Sequence, residues 1–493
     1  MRTRQLYVIL VAAGALALAP AAQAQVPGLP VMPIPGDPLP SGAEAFIGHA
    51  AEPQPVRAPR VPRHPFMARN GRNNLHNDPY MTDVYRKLEG PLGRGTTTNS
   101  ALFARECGSV TFDSADRIET ICVGIDRPVL ALLDPGTFEV LAARGLPPRD
   151  LTGGGDIFTD FSGGGYFYLD NRDRAVTPTT TRHVLVVRQG RGTGFSVERD
   201  HDLSGVVPQG DAIISVLPDW EGRIWFASRE GRVGWVDPGS GEIISRELGE
   251  RIGNSFAVDE DGGVYIVTDA AMYRLDARRG APRTTWRKGY ENIGVRKPGQ
   301  TQAGSGTTPT LMGRKYVSIT DNADPMNVVV FNRGRRVAGR RLVCRRPVFE
   351  QGASATDQSL IGTRRSIVVE NNFGYTGPTS TAGDATTRPG LERVTIDRDG
   401  RGCRTAWHSD EIAPSVVPKL AAGSGLVFTY TKPPSGGAWY LTAIDYRTGE
   451  TVYKRLAGAG LGFNNNFAPV TIGPDDAAYV GVLGGITRFR DAR

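Results

Sequence analysis

Ala443-Ile444-Asp445-Tyr446-Arg447-Thr448-Gly449-Glu450-Thr451-Val452-Tyr453 lies between two apolar runs and reads as a strand, a tight turn and a return strand. Leu441 to Ile444 alternates toward a packed face, Asp445 caps the turn, Thr448-Gly449 supplies a polar residue and a position for positive φ, and Val452-Tyr453 resumes the sheet. A lone hairpin is marginal in water, so the string decides a fold only where it recurs. It recurs in looser form at Trp235-Val236-Asp237-Pro238-Gly239-Ser240-Gly241-Glu242 and at Leu132-Leu133-Asp134-Pro135-Gly136-Thr137.

Working outward from these turns, strand-like runs return every 40 to 50 residues over 107–146, 155–202, 211–248, 253–290, 304–350, 357–408, 414–456 and 464–492. That repetition predicts an all-β, eight-bladed β-propeller over residues 107–493, with seven blades as the alternative. The 62 glycines, the 35 prolines and the lack of a 3.6-residue apolar period agree with turn-rich strands. The last repeat holds only about three strands, so residues 67–106, an extended N-terminal arm, are expected to pack on the propeller and supply the fourth. Closure of this kind removes exposed strand edges.

Residues 1–24 read as a signal peptide, with Arg2 and Arg4, an apolar stretch from Leu6 to Leu18 and the small-residue site Ala22-Gln23-Ala24. Residues 25–66 carry 11 prolines in 42 positions, which predicts a proline-rich linker. No later run is long enough to span a membrane. The expected location is secreted or periplasmic, as a monomer. Four cysteines, Cys107, Cys122, Cys344 and Cys403, permit three pairings; Cys107–Cys122 with Cys344–Cys403 is the local one, closing neighbouring strands. Net charge is +7, but all except seven of the 58 basic residues are Arg and they are scattered, so the chain lacks the basic stripe of a nucleic-acid binder.

The Ala443 to Tyr453 string resembles the docking motif of quinoprotein-like (PQQ-like, WD40-like) β-propellers, in which a Trp ends the motif and packs between blades. Tyr453 stands in its place here. The resemblance implies the fold over most of 107–492. Quinoprotein alcohol dehydrogenases set adjacent cysteines over the quinone, and this chain has no Cys-Cys pair, which weighs against PQQ and leaves a PQQ-type oxidoreductase as a secondary alternative. Ile319-Thr320-Asp321-Asn322-Ala323-Asp324-Pro325 is similar, over fewer residues, to the Asp-Asn turn with which lactonase-type propellers hold calcium. That similarity carries over only Asp321 and Asn322.

In a blade the start of the innermost strand and the end of the second lie at one mouth of the channel. Asp156, Asp211, Asn254, Thr307, Thr308, Asp357 and Asn464 to Asn466 fall near inner-strand starts; Asp170, Asn171, Asp269, Asp321, Asn322 and Glu370 to Asn372 fall near second-strand ends. Oxygen groups so gathered suit Ca²⁺ or sugar hydroxyls. The expected ligand-binding residues are Asn254, Asp357, Asn371, Asn372, Asn465 and Asn466, and the expected metal ligands are Asp321, Asn322 and Glu370. His76, flanked by Asn77, Asp78 and Asp83, is the expected base, with Asp78 and Asp83 as its carboxylate partners. There is no G-x-S-x-G, H-E-x-x-H or phosphate-binding loop. The sequence thus points to an exported propeller binding a small or saccharide-like ligand at a polar axial mouth, as a calcium-assisted hydrolase or lyase or, alternatively, as a non-catalytic recognition scaffold.

Overall fold

The computed structural model describes residues 36–149, 158–160, 162–190, 194–434 and 436–492. The signal peptide, the start of the proline-rich stretch and Asp156 lie outside the described residues. Eight sheets follow one another in chain order, and the repeats above coincide with them. The innermost strands are Glu106–Phe112, Tyr168–Leu169, Ile213–Pro218, Ala257–Val258, Thr310–Met312, Ile361–Gly362, Lys419–Ala421 and Val470–Ile472, in blades 1 to 8. Blade 8 has three C-terminal strands and is completed by Thr97–Leu102, which pairs antiparallel with Gly485–Arg490. The chain is an eight-bladed propeller, and seven blades is excluded. Two single-turn 3-10 helices are the only helical elements among the described residues. Neither is long and apolar enough to cross a membrane.

The turn that decides the fold behaves as its residues dictate. Asp445 Oδ1 accepts from the Arg447 and Thr448 N–H groups at 2.7 and 3.0 Å. Asp237 and Asp134 hold their turns in the same way. Gly449 sits at φ +81°, and a Cβ there would lie 2.7 Å from the Trp407 ring of blade 6. Trp407 Nε1 in turn donates to Tyr446 O at 2.9 Å. The inter-blade tryptophan is therefore supplied by the preceding blade, while Tyr453 is buried and stacks on Phe46 at 5.5 Å.

Both local disulfides form. Cys107–Cys122 joins the first two strands of blade 1. Cys344–Cys403 instead links the outermost strands of blades 5 and 6, so it staples blade to blade. Such bonds form and persist in oxidising compartments.

Residues 36–66, within the stretch whose prolines predict a linker, run along the propeller. Phe46–Gly48 adds a strand outside blade 7, and the Gln54 and Val56 N–H groups donate to Ser424 O and Ala422 O. Proline-rich chain cannot form a sheet of its own, but between prolines it can pair with an existing edge.

The inner edges of the blades would leave backbone groups facing the channel, and each needs a partner. Residues 72–85 supply them. The N–H groups of Phe112, Leu169, Val258, Leu311, Gly362 and Leu420 donate to the carbonyls of Arg72, Asn73, Pro79, Tyr80, Thr82 and Asp83. Val84–Tyr85 then pairs in parallel with Leu420–Ala421. This plug touches the innermost strands of six blades and is buried from Asn73 to Tyr85. Asn77, Met81 and Asp83 adopt positive φ to make the tight path.

Candidate functional site

The plug turns the channel into a closed-ended well. At the mouth where the inner strands begin, here the upper mouth, a cavity of about 90 Å³ is bounded by Leu75 and His76 of the plug and by residues that precede or open inner strands, including Glu106, Tyr166, Asn254, Asp357, Gln358 and Asn466. Arg149 and Phe158 flank it.

His76 is held from both sides. Its backbone N–H donates to Asn74 Oδ1 at 2.7 Å, and ring Nδ1 lies 3.1 and 3.2 Å from the two Asp83 oxygens. Lys419 Nζ, at the start of the blade 7 inner strand, donates to Asp83 Oδ1 and, at 2.6 Å, to Leu75 O. A carboxylate only accepts, so Nδ1 carries the proton and Nε2 presents a lone pair. Burial pushes the His76 pKa down despite Asp83 beside it, and burial likewise lowers that of Lys419. His76 Nε2 is buried with no hydrogen-bond partner among the described residues.

The other walls carry acids and amides. Desolvation raises Glu106 to about 8 and Asp357 to about 7. Glu106 accepts from Asn466 Nδ2 at 3.2 Å, and Asp357 Oδ2 from the Thr301 N–H at 2.5 Å. Tyr166, its ring 6.2 Å from that of His76, donates to Asn254 Oδ1 at 2.6 Å. Asp357 Oδ1 and Gln358 Nε2 are, like His76 Nε2, buried without partners.

The structure thus brings His76, Asn254, Asp357 and Asn466 to one cavity, with Asp83 behind His76. Asp78 lies elsewhere in the plug: its carboxylate accepts from Tyr80 N, Thr82 N and Thr82 Oγ1, forming the local turn, and burial raises it to about 7. Asn371, Asn372 and Asn465 are not part of the cavity wall. Asn371 Nδ2 donates to Ala353 O and Pro389 O, Asn372 Nδ2 to Ala413 O and Asn465 Nδ2 to Ala468 O, all bonds that fasten backbone.

Of the expected calcium residues Asp321 is committed to its own turn, while Asn322 Oδ1 and Glu370 Oε2 are buried without partners among the described residues. Asp321 accepts from Ala323 N, Asn327 N and Asn327 Nδ2, which uses both oxygens in its own turn. Asn322 Nδ2 donates to Asn292 Oδ1 and Val295 O, and Glu370 accepts from Thr429 Oγ1, with burial raising its pKa well above the usual carboxyl range. Among the described residues no group of three or more His, Cys, Asp or Glu side chains is gathered as a metal requires.

Asp170 and Asn171 sit between the first and second strands of blade 2, at the lower mouth, and not at the end of a second strand. Asp170 accepts from Arg172 N and Arg174 N and pairs with Arg174 Nε, the pattern of a turn that follows an inner strand. Glu106, Tyr166 and Gln358 are missed by sequence reasoning. Glu106 had a usable signal, an acidic residue opening an otherwise apolar inner strand. Tyr166 and Gln358 have no such mark.

The fold and the cavity define a class: an eight-bladed propeller whose own N-terminal segment plugs the channel beneath a polar well. A protein of Archaeoglobus fulgidus described as uncharacterized is 30% identical over 364 residues, spanning 67% of this chain and 70% of that one. The chain belongs to the same family as that archaeal protein. No family model matches. Solved structures of similar architecture include BamB from Moraxella catarrhalis (13% identity, 64% of this chain and 95% of that one, TM-score 0.41) and a europium-containing methanol dehydrogenase (12%, 83% and 88%, TM-score 0.47). At these values the likeness is one of fold alone.

Proposed function

We propose that this protein is an exported propeller that binds a small, saccharide-like ligand in the axial cavity and acts on it by proton transfer, as a hydrolase or lyase, with His76 as the base. The observation that carries this reading is His76 itself: Nδ1 is fixed by Asp83, and Nε2 is a buried acceptor without a protein partner among the described residues. Burial keeps the imidazole neutral near pH 7, the form a base needs. Glu106 in the same wall, raised to about 8, is mostly protonated at that pH and is the available acid. His76 would take a proton from a bound water or from a ligand carbon or hydroxyl, and Glu106 would return one to the leaving oxygen, which balances both hydrolysis and elimination. Export is supported by the two disulfides and by the signal-like leader.

The test is a screen of the purified protein against lactones, glycosides and uronate-containing saccharides. Turnover that falls roughly 100-fold or more in His76→Gln, with an unchanged melting temperature, is the expected result. Turnover indifferent to His76, or none with any substrate, overturns the catalytic role and leaves a recognition site.

A further inference from the structure

His76, Asp357 and Gln358 line the cavity, and each holds a buried polar atom with no hydrogen-bond partner among the described residues: His76 Nε2, Asp357 Oδ1 and Gln358 Nε2. An orphaned buried polar group costs about 1–3 kcal/mol, and a ligand that pairs with all three would recover that cost. The set has a definite chemistry. His76 Nε2 accepts, because its other nitrogen carries the proton toward Asp83. Gln358 Nε2 donates. Asp357 is held by the Thr301 N–H through Oδ2, which leaves Oδ1 to accept in the ionised carboxylate, the form present above about pH 7.

Asp357 is also fixed in place. A Cβ added to Gly306 would lie 2.0 Å from its Oδ1 and 2.3 Å from Thr356 O, so the backbone of the blade 5 approach presses directly on it.

A ligand matching two acceptors and one donor must offer two donors and an acceptor in close succession. A single hydroxyl both donates and accepts, so two adjacent hydroxyls satisfy the set. Charge enters through Asp357 alone, since Glu106 is mostly protonated at pH 7 and Asp160 is paired with Arg229 at 2.7 Å: an anionic group set against the ionised Asp357 would be desolvated and repelled. A volume near 90 Å³ fits an end group of a few heavy atoms.

We propose that the cavity takes a neutral vicinal diol, the end group of a polyol or sugar, with one hydroxyl donating to His76, the other donating to Asp357, and Gln358 donating back to the pair. This rests on the ligand-binding reading above and narrows it to a substrate class. A carboxylate or phosphate placed directly against the ionised Asp357 is disfavoured.

The experiment is ligand-observed NMR titration of the intact protein with glycerol, 1,3-propanediol and glycerate. Glycerol is expected to bind, and 1,3-propanediol, which lacks the adjacent hydroxyl, and glycerate, which adds a negative charge, to bind at least ~10-fold more weakly. Asp357→Asn and Gln358→Met, both close in shape to the residues they replace, should each weaken glycerol by ~10-fold while still melting in one cooperative transition above the titration temperature. If either variant is destabilised, a high-resolution crystal structure of the unaltered protein in glycerol decides: a diol on the three atoms supports the assignment, and ordered water alone overturns it. Glycerate binding as well as glycerol, or folded variants that bind glycerol unchanged, also overturns it. Glycerol binding without His76-dependent turnover would leave the diol site standing and remove only the catalytic role; turnover confined to substrates without hydroxyls would do the reverse.

Discussion

The two mouths of the channel use the same residue type to opposite ends. At the lower mouth Asp113, Asp170 and Asp219 each follow an inner strand and accept from the N–H groups two and four residues on and from the Arg side chain at the fourth. Asp259 has Gly263 at that fourth position, and its second oxygen takes Tyr265 Oη at 2.7 Å and Arg333 Nη1 at 3.0 Å instead. At the upper mouth Asp357 has one bonded oxygen and one buried and empty-handed. Local donors saturate a carboxylate whose task is a turn; a carboxylate left with unused capacity points to something the chain itself does not supply.

The comparison is broken most severely through the plug, which underlies the upper mouth. Asp83→Ala leaves the Lys419 ammonium, fully buried, without its carboxylate. Removing one partner of a buried pair costs about 3–5 kcal/mol, and denaturant unfolding followed by tryptophan fluorescence should show a loss of that size. Lys419→Met and Asp83→Asn together should recover much of it, since the charge and its partner leave as a pair.

Next in size is a pH effect that marks the upper mouth. Burial raises Asp357 to about 7 in the folded protein from the ordinary 3.8, so the folded state binds the proton more tightly. Its contribution is fully present below about pH 4 and is lost as pH rises through 7. Asp357→Asn abolishes this titration, so its melting temperature relative to the unaltered protein should climb between pH 5 and 8. The full difference is up to about 4 kcal/mol, at 1.36 kcal/mol per unit. A difference independent of pH would place Asp357 with the saturated carboxylates of the lower mouth.

Asp219→Ala tests that lower mouth from the other side. It strips acceptors from Glu221 N, Arg223 N, Arg223 Nε and Trp225 Nε1 at 2.7–3.1 Å. A loss of about 2 kcal/mol by denaturant unfolding is expected, with glycerol binding unchanged because the residue belongs to the opposite face.

The ring was legible because its turns are local: an Asp, a Gly and a polar residue at fixed spacing announce a hairpin, and repetition does the rest. The upper-mouth placement of Asn254, Asp357 and Asn466 followed from strand polarity alone. Asp170 was misplaced because Tyr168–Leu169 is only two residues long and an inner strand so short has no readable period. Its spacing to Arg174 matches Asp113 to Arg117 and Asp219 to Arg223, a repeat that marks the lower mouth and was available in the sequence. The sequence shows an arm over residues 67–106 but not a plug, since residues 72–85 take their structure from hydrogen bonds to six distant strands and carry no pattern of their own. For the same reason His76 and Asp83 were recognisable as partners by chemistry, while Lys419, which joins them from 336 residues away, was not.

The smallest effect belongs to the stretch that decides the fold. Asp445 lies at an outer turn, partly open to water, and Asp445→Ala removes acceptors from Arg447 N and Thr448 N only. Water can replace a side-chain acceptor at an exposed turn, so the expected cost is about 0.5–1 kcal/mol, below that of Asp219→Ala although each removes a turn-forming carboxylate. The difference isolates burial, since Asp219 is 2% exposed and carries an arginine and an indole besides its backbone bonds. Equal losses at the two positions, read in the same denaturant series, would mean that backbone capping and not burial sets the strength of these turns, and the contrast between the mouths would then rest on Asp357 alone.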